Sequence, residues 1–192
     1  MSNTIRFKKL IKRITIIEKS YLPPIRPTGD YSSKEKDDMR AYLLLIHAEI
    51  EFYFEEIAKE TVKNAVNKWT ANSSYRSHIL LSMICFCKKE LTTKDIHTRI
   101  YQAQNYFEQH IKMNNGIKES NILDLLLPIG IDIKEVDTTW LNTISSFGTN
   151  RGSIAHTSAR VQNPIDPSTI RSTIKLILSE MKLLDEKIKK LK

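Results

Sequence analysis

Tyr42-Leu43-Leu44-Leu45-Ile46-His47-Ala48-Glu49-Ile50-Glu51-Phe52-Tyr53-Phe54-Glu55-Glu56-Ile57-Ala58 is the stretch on which the fold turns. It contains no Gly and no Pro, and its apolar residues fall on nearly every side of a helical wheel. Upstream, Ser32 and Glu35 have the spacing of a capping box, a helix-start signal. The helix that begins there is expected to run to about Val66. A surface helix needs only one apolar stripe, so one that is apolar all round belongs in the middle of a bundle.

Outward from it, the chain reads as further helices. Residues 3–20 carry Ile5, Leu10, Ile14 and Ile17 at helical spacing among Arg6, Lys8, Lys9, Lys12, Arg13 and Lys19. Such a basic amphipathic helix is an ordinary outer helix, or one that binds RNA or a membrane surface. Pro23, Pro24 and Pro27 form a stiff non-helical connector. Residues 1–30 are therefore expected to be an appendage, and residues 31–192 the main helical domain.

Helices are expected over 75–91, beginning at Ser73 or Ser74, and over 93–113, ending at Asn114-Asn115-Gly116. A short helix from Asn121 to Leu127 should stop at Pro128 and Gly130. Asp137 should cap a helix through Trp140, Leu141, Ile144 and Phe147, with Gly148 ending it. After Asn163-Pro164, Asp166 and Pro167 open a last helix. Its stripe is Ile170, Ile174, Ile177, Met181, Leu184 and Ile188, suited to packing on the bundle or on a second copy. The expected fold class is all-α, an antiparallel helical bundle.

The net charge is +8 and the sequence pI about 9.4, which favours an anionic partner, nucleic acid first. Cys85 and Cys87 lie two apart in an apolar run and read as buried thiols in a reducing cytosol. No second Cys pair exists to complete a zinc site. His97 and His110 share a helix side but stand nearly four turns apart, too far to share a metal. The N-terminus lacks an apolar core of secretory length, and no run approaches the roughly 20 residues of a membrane span. A cytoplasmic location without a membrane partner is expected. There is no Gly-rich phosphate loop, no His-Glu-x-x-His helix and no nucleophile elbow.

Two polar features stand out. Arg40, His47 and Glu51 fall within about 40° of one line on the central helix. Ionisable residues there must face water, one another, a partner or a site. The second feature is Arg151-Gly152-Ser153-Ile154-Ala155-His156, an Arg and a His separated by four residues. Chance supplies roughly 0.7 such pairs in this composition, so context decides. After a helix-stop Gly148, with Thr149 or Asn150 as cap, Arg151 would sit at the positive end of a short helix. Arg offers a planar cation for phosphate and His an acid/base near neutral pH, the minimum for metal-free RNA cleavage. The Arg40–Glu51 line is expected to face this segment.

These two segments resemble the HEPN family. Arg151 to His156 is similar to its Arg–x(4–6)–His signature, and Arg40 to Tyr53 to the first core helix of its RiboL-PSP branch. The resemblance covers roughly residues 35–190 and implies about four core helices plus extras. It also implies a homodimer with a composite site, and often a metal-independent endoribonuclease of toxin or antiphage systems, with an antitoxin or defence partner. Carried over by position, Arg151 and His156 would be catalytic, and no cofactor or metal is implied. Asn150, Ser153, Glu51, His47 and Arg40 are supporting candidates. The residue after the Arg, often Asn in the family, is Gly152, and Asn150 on the other side is its candidate substitute. RNA would be cut by attack of the ribose 2′-oxygen, leaving a 2′,3′-cyclic phosphate. On one regular helix Arg151 and His156 would stand about 140° apart. So either Arg151 lies in a non-helical cap or a second copy completes the site. The reading from another class is a non-catalytic helical module that binds RNA, a nucleotide or a partner protein.

Overall fold

The computed structural model describes residues 3–88, 92–156 and 165–191. Among them are seven α-helices, two 3-10 turns and no strand. The helices are α1 (Ile5–Tyr21), α2 (Ser33–Ala71), α3 (His78–Phe86), α4 (Ile96–Met113), α5 (Glu119–Leu126), α6 (Thr138–His156) and α7 (Pro167–Ile188).

α2 is the axis. The Ser32 hydroxyl and the Glu35 carboxylate cap it reciprocally, as their spacing predicts. It continues past Val66 to Ala71 and touches α1, α3, α4, α5 and α6. Tyr42, Ile46, Ile50, Tyr53, Phe54 and Ala58 are all fully buried in one continuous core. Each such Ile or Phe contributes about 1.5–3 kcal/mol relative to an exposed one.

α1 joins the same core through Phe7, Leu10, Ile14 and Ile17. Ile5, expected in that stripe, is 74% exposed, and Phe7 takes its place. Arg13 pairs with Glu49 at 2.9 Å, and Arg6 with Glu56 and Glu60, which fixes α1 antiparallel along α2. The other end of the clamp is Asp185 on α7, which is fully buried. It accepts the Thr4 N–H at 2.8 Å, the Thr4 hydroxyl at 2.5 Å, Asn3 Nδ2 at 3.2 Å and the Tyr53 hydroxyl at 2.9 Å. Four donors make this buried carboxylate tolerable.

α7 begins where expected, with Asp166 accepting from Ser168 and Thr169 and Pro167 in the first turn. All six residues of its stripe are buried, so the stripe packs on the bundle. The Trp140 indole donates to Ile177 O at 3.1 Å, tying α6 to α7.

Several boundaries differ from expectation. α3 starts after Ser77, because the Ser74 N–H bonds the Asn72 side chain in a turn. Residues 89–91, assigned to that helix from sequence, lie outside the described residues, as do Asn163 and Pro164. Cys87 is buried and its thiol donates to Ala103 O, but Cys85 is exposed, so only one thiol matches expectation. Pro128 does not stop α5 outright. It sits in the 3-10 turn Leu127–Ile129, which ends at Gly130 with φ +90.

The largest correction concerns Gly148. α6 runs unbroken from Thr138 to His156, so Gly148 does not end it and Arg151 is not at a helix N-terminus. Gly148 is there for space. A Cβ on it would stand 3.3 Å from Ile117 Cγ1 and 3.6 Å from the Ile117 backbone.

Candidate functional site

The site is built where the second half of α6 meets the first half of α2. Trp140, Leu141, Ile144, Phe147 and Gly148 form the buried stripe of α6, and Ile154 packs on the same core. Arg151 occupies the intervening position of that stripe, half-buried where an apolar residue would continue it. Its charge is felt on the α2 side, where it acts on His47.

Across from it stands His47, 2% exposed. Its ring lies against Phe147, with centroids 6.4 Å apart and planes 29° from parallel. Burial, reinforced by the positive charge of Arg151, lowers the His47 pKa to about 4. His47 is therefore a neutral imidazole at physiological pH. Its Nδ1 is buried and makes no hydrogen bond with a described residue. The nearest carboxylate oxygen, Glu51 Oε2, is 3.6 Å away, beyond hydrogen-bond reach.

Glu51 is held from the other side. The N–H of Gly116 donates to Glu51 Oε1, and Gly116 has the left-handed φ of +122 that permits this approach. Asn114 reinforces the loop by donating to Glu55 Oε1 at 3.1 Å and to Gly116 O at 3.2 Å, while Asn121 donates to Asn114 at 3.2 Å. From sequence, Asn114-Asn115-Gly116 reads only as a helix end, and the hold on Glu51 is missed. Beyond Glu51 opens a cavity of about 420 Å³ whose charged lining is Glu51, Glu55, Glu56, Glu108, Lys59 and Lys112. Burial raises the Glu55 pKa, and the neighbouring Glu51 and Glu56 add to it. Among the described residues no three of His, Cys, Asp and Glu are placed to hold a metal ion.

The remaining candidates are less tightly drawn together. Arg40 is mostly covered and pairs with Asp37 at 2.6 Å, one turn earlier on α2. Asn150 is exposed on α6. Ser153 and His156 belong to α6 by their backbone, and their side chains lie outside the described residues. Other histidines serve packing: His97 lies on Trp69 at 4.5 Å and His110 on Phe86 at 5.2 Å.

The arrangement thus places a cation on a rigid helix, beside a buried neutral imidazole and a restrained carboxylate. The family model RiboL-PSP-HEPN matches residues 6–190. The chain belongs to the RiboL-PSP-HEPN family. The match includes α1, so it extends further towards the N-terminus than the two motif segments alone. No curated protein and no solved structure gives a significant match. No helix among the described residues is long and apolar enough to cross a membrane.

Proposed function

We propose that this RiboL-PSP-HEPN chain is a metal-independent endoribonuclease of toxin or antiphage defence. The observation that carries the reading is Arg151, set on the core-facing stripe of α6 against the buried His47 within a family match spanning 6–190. In this reading Arg151 stabilises the extra negative charge on phosphorus as the ribose 2′-oxygen attacks. His156 exchanges the proton, as base for the 2′-hydroxyl or as acid for the 5′-oxygen leaving group. The products are a 2′,3′-cyclic phosphate and a 5′-hydroxyl.

The continuity of α6 supports a shared site. With both residues on one helix, their positions differ by about 140°, so a single helix does not easily aim both at one phosphate. Of the two ways to resolve this, a non-helical cap at Arg151 is gone. In the proposed arrangement two copies of the segment line one cleft in a homodimer. His47 and Glu51 act behind it as positioning residues: a neutral ring leaves the Arg151 charge undiminished for phosphate and unrepelled.

The test separates cleavage from binding. In EDTA, Arg151→Ala is expected to lose RNA affinity and cleavage together, whereas His156→Ala keeps affinity and loses cleavage. Wild-type binding with no cleavage of any RNA supplied would instead favour the non-catalytic module.

A further inference from the structure

α1 and α7 run antiparallel and are tied at both ends. Thr4 and Asn3 bond Asp185 at one end, and Glu18 meets Arg171 at 2.9 Å at the other. Between these ties lies a seam flanked by lysines. On α7, Lys175 and Lys182 fall within about 40° of Arg171, on the side that turns towards α1, and both are exposed. On α1, Thr4, Ile11 and Glu18 recur every seven residues along the seam. Lys12 and Lys19 each follow one of these and stand about 100° round, on the solvent side.

Of the three carboxylates on this side, Glu18 is engaged by Arg171 and Asp185 by its four donors, and Glu186 stands half-buried one turn past Lys182. Among the described residues none makes an ion pair with Lys12, Lys19, Lys175 or Lys182. Lys175 and Lys182 on α7 and Lys12 and Lys19 on the solvent side of α1 thus flank the seam as exposed cations in a chain of net charge +8.

From this juxtaposition we propose that the α1–α7 seam is a second RNA contact, which holds the phosphate backbone of a strand outside the cleavage site. It rests on the ribonuclease reading for the identity of its polyanion. The seam and the site lie on different sides of α2. Glu49, Glu56 and Glu60, which hold α1, and Tyr53, which holds Asp185, stand about 180–240° round from His47. The substrate is thus an extended RNA that leaves one face and reaches another, not a nucleotide or a short fragment. An acidic membrane is the poorer fit. A membrane-bound helix buries a continuous apolar face in lipid, whereas the stripe Phe7, Leu10, Ile14 and Ile17 of α1 is consumed by the core and only Ile5, Ile11 and Ile16 stand exposed among its lysines.

The experiment measures equilibrium binding of a labelled single-stranded RNA of about thirty nucleotides across a salt series, by full-length protein. Two triple variants with the same charge change are compared: Lys12→Gln/Lys175→Gln/Lys182→Gln in the seam, and Lys88→Gln/Lys94→Gln/Lys134→Gln, all exposed, elsewhere. The seam triple is expected to weaken binding about tenfold or more near 0.1 M salt. It should also reduce the slope of log affinity against log salt by about 2, at roughly 0.7 per lost phosphate contact. The other triple should do neither. Equal losses in both triples, or no loss in the seam triple, would overturn the assignment while wild-type cleavage left the ribonuclease reading standing. Loss of binding to phosphatidylserine vesicles with RNA affinity retained would also overturn it, in favour of a membrane surface. A wild type that binds no RNA would overturn both readings.

Discussion

His47 shows how one residue connects packing with chemistry. Its pKa, lowered to about 4, means that the unfolded chain takes up a proton between pH 6.5 and 4 that the folded chain refuses. Stability contributed by the neutral ring is therefore full above pH 6.5 and is lost as pH falls towards 4. The loss is about 3 kcal/mol. His47→Phe keeps a ring against Phe147 and removes the titration. Urea unfolding at pH 7 and pH 4.5 should show a smaller acid-side loss in this variant than in wild type, and an equal loss would refute the assignment. That Arg40, His47 and Glu51 share one face of α2 was legible from their spacing, but of the three only His47 is set against the Arg151 segment, while Arg40 pairs with Asp37 and Glu51 with Gly116. The hold of the Gly116 N–H on Glu51 was not legible. It joins positions 65 residues apart through a loop conformation, and no local pattern encodes such a contact.

Between α6 and its neighbours, two glycines carry opposite meanings. Sequence alone treats Gly148 as a stop, because Gly weakens helices and is enriched just past their ends. Packing overrides that preference here, since Ile117 and Lys118 lie close against Gly148, with Ile117 Cγ1 3.3 Å from where a Cβ would stand. Gly148→Leu should cost about 1–3 kcal/mol in thermal or urea unfolding. Gly152 has nothing within 4 Å of a Cβ, so Gly152→Ala should gain about 0.5–1 kcal/mol from helix propensity alone. A Gly148 variant as stable as wild type would mean that the close approach is not real. The α1–α7 tie makes a parallel case. Asp185 looks like one more surface acid in a Lys-rich helix, and only the fold reveals four donors on it. Asp185→Ala should destabilise by about 2–4 kcal/mol, because the Tyr53 hydroxyl and the Thr4 N–H lose a buried acceptor. Amide exchange should then speed up first in α1.

The bundle itself was readable because its signals are redundant: a capping box, an all-round apolar helix, and two i, i+3, i+4, i+7 stripes closing on it. The proposed pairing with a second copy would leave no such trace, since a dimer face needs only shape and a few polar groups. A shared cleft makes a direct prediction. Arg151→Ala and His156→Ala proteins, each inactive, should recover activity when unfolded together and refolded as a mixture, and no recovery would argue for independent sites. Beneath this lies the question of whether the chain cuts RNA at all by 2′-oxygen attack. The decisive measurement is the chemistry of the ends left on labelled RNA after incubation in EDTA. Cleavage by wild type but not by His156→Ala, with 2′,3′-cyclic phosphate and 5′-hydroxyl termini, is the predicted result. Cleavage that survives His156→Ala, or that leaves 5′-phosphates, would contradict the account.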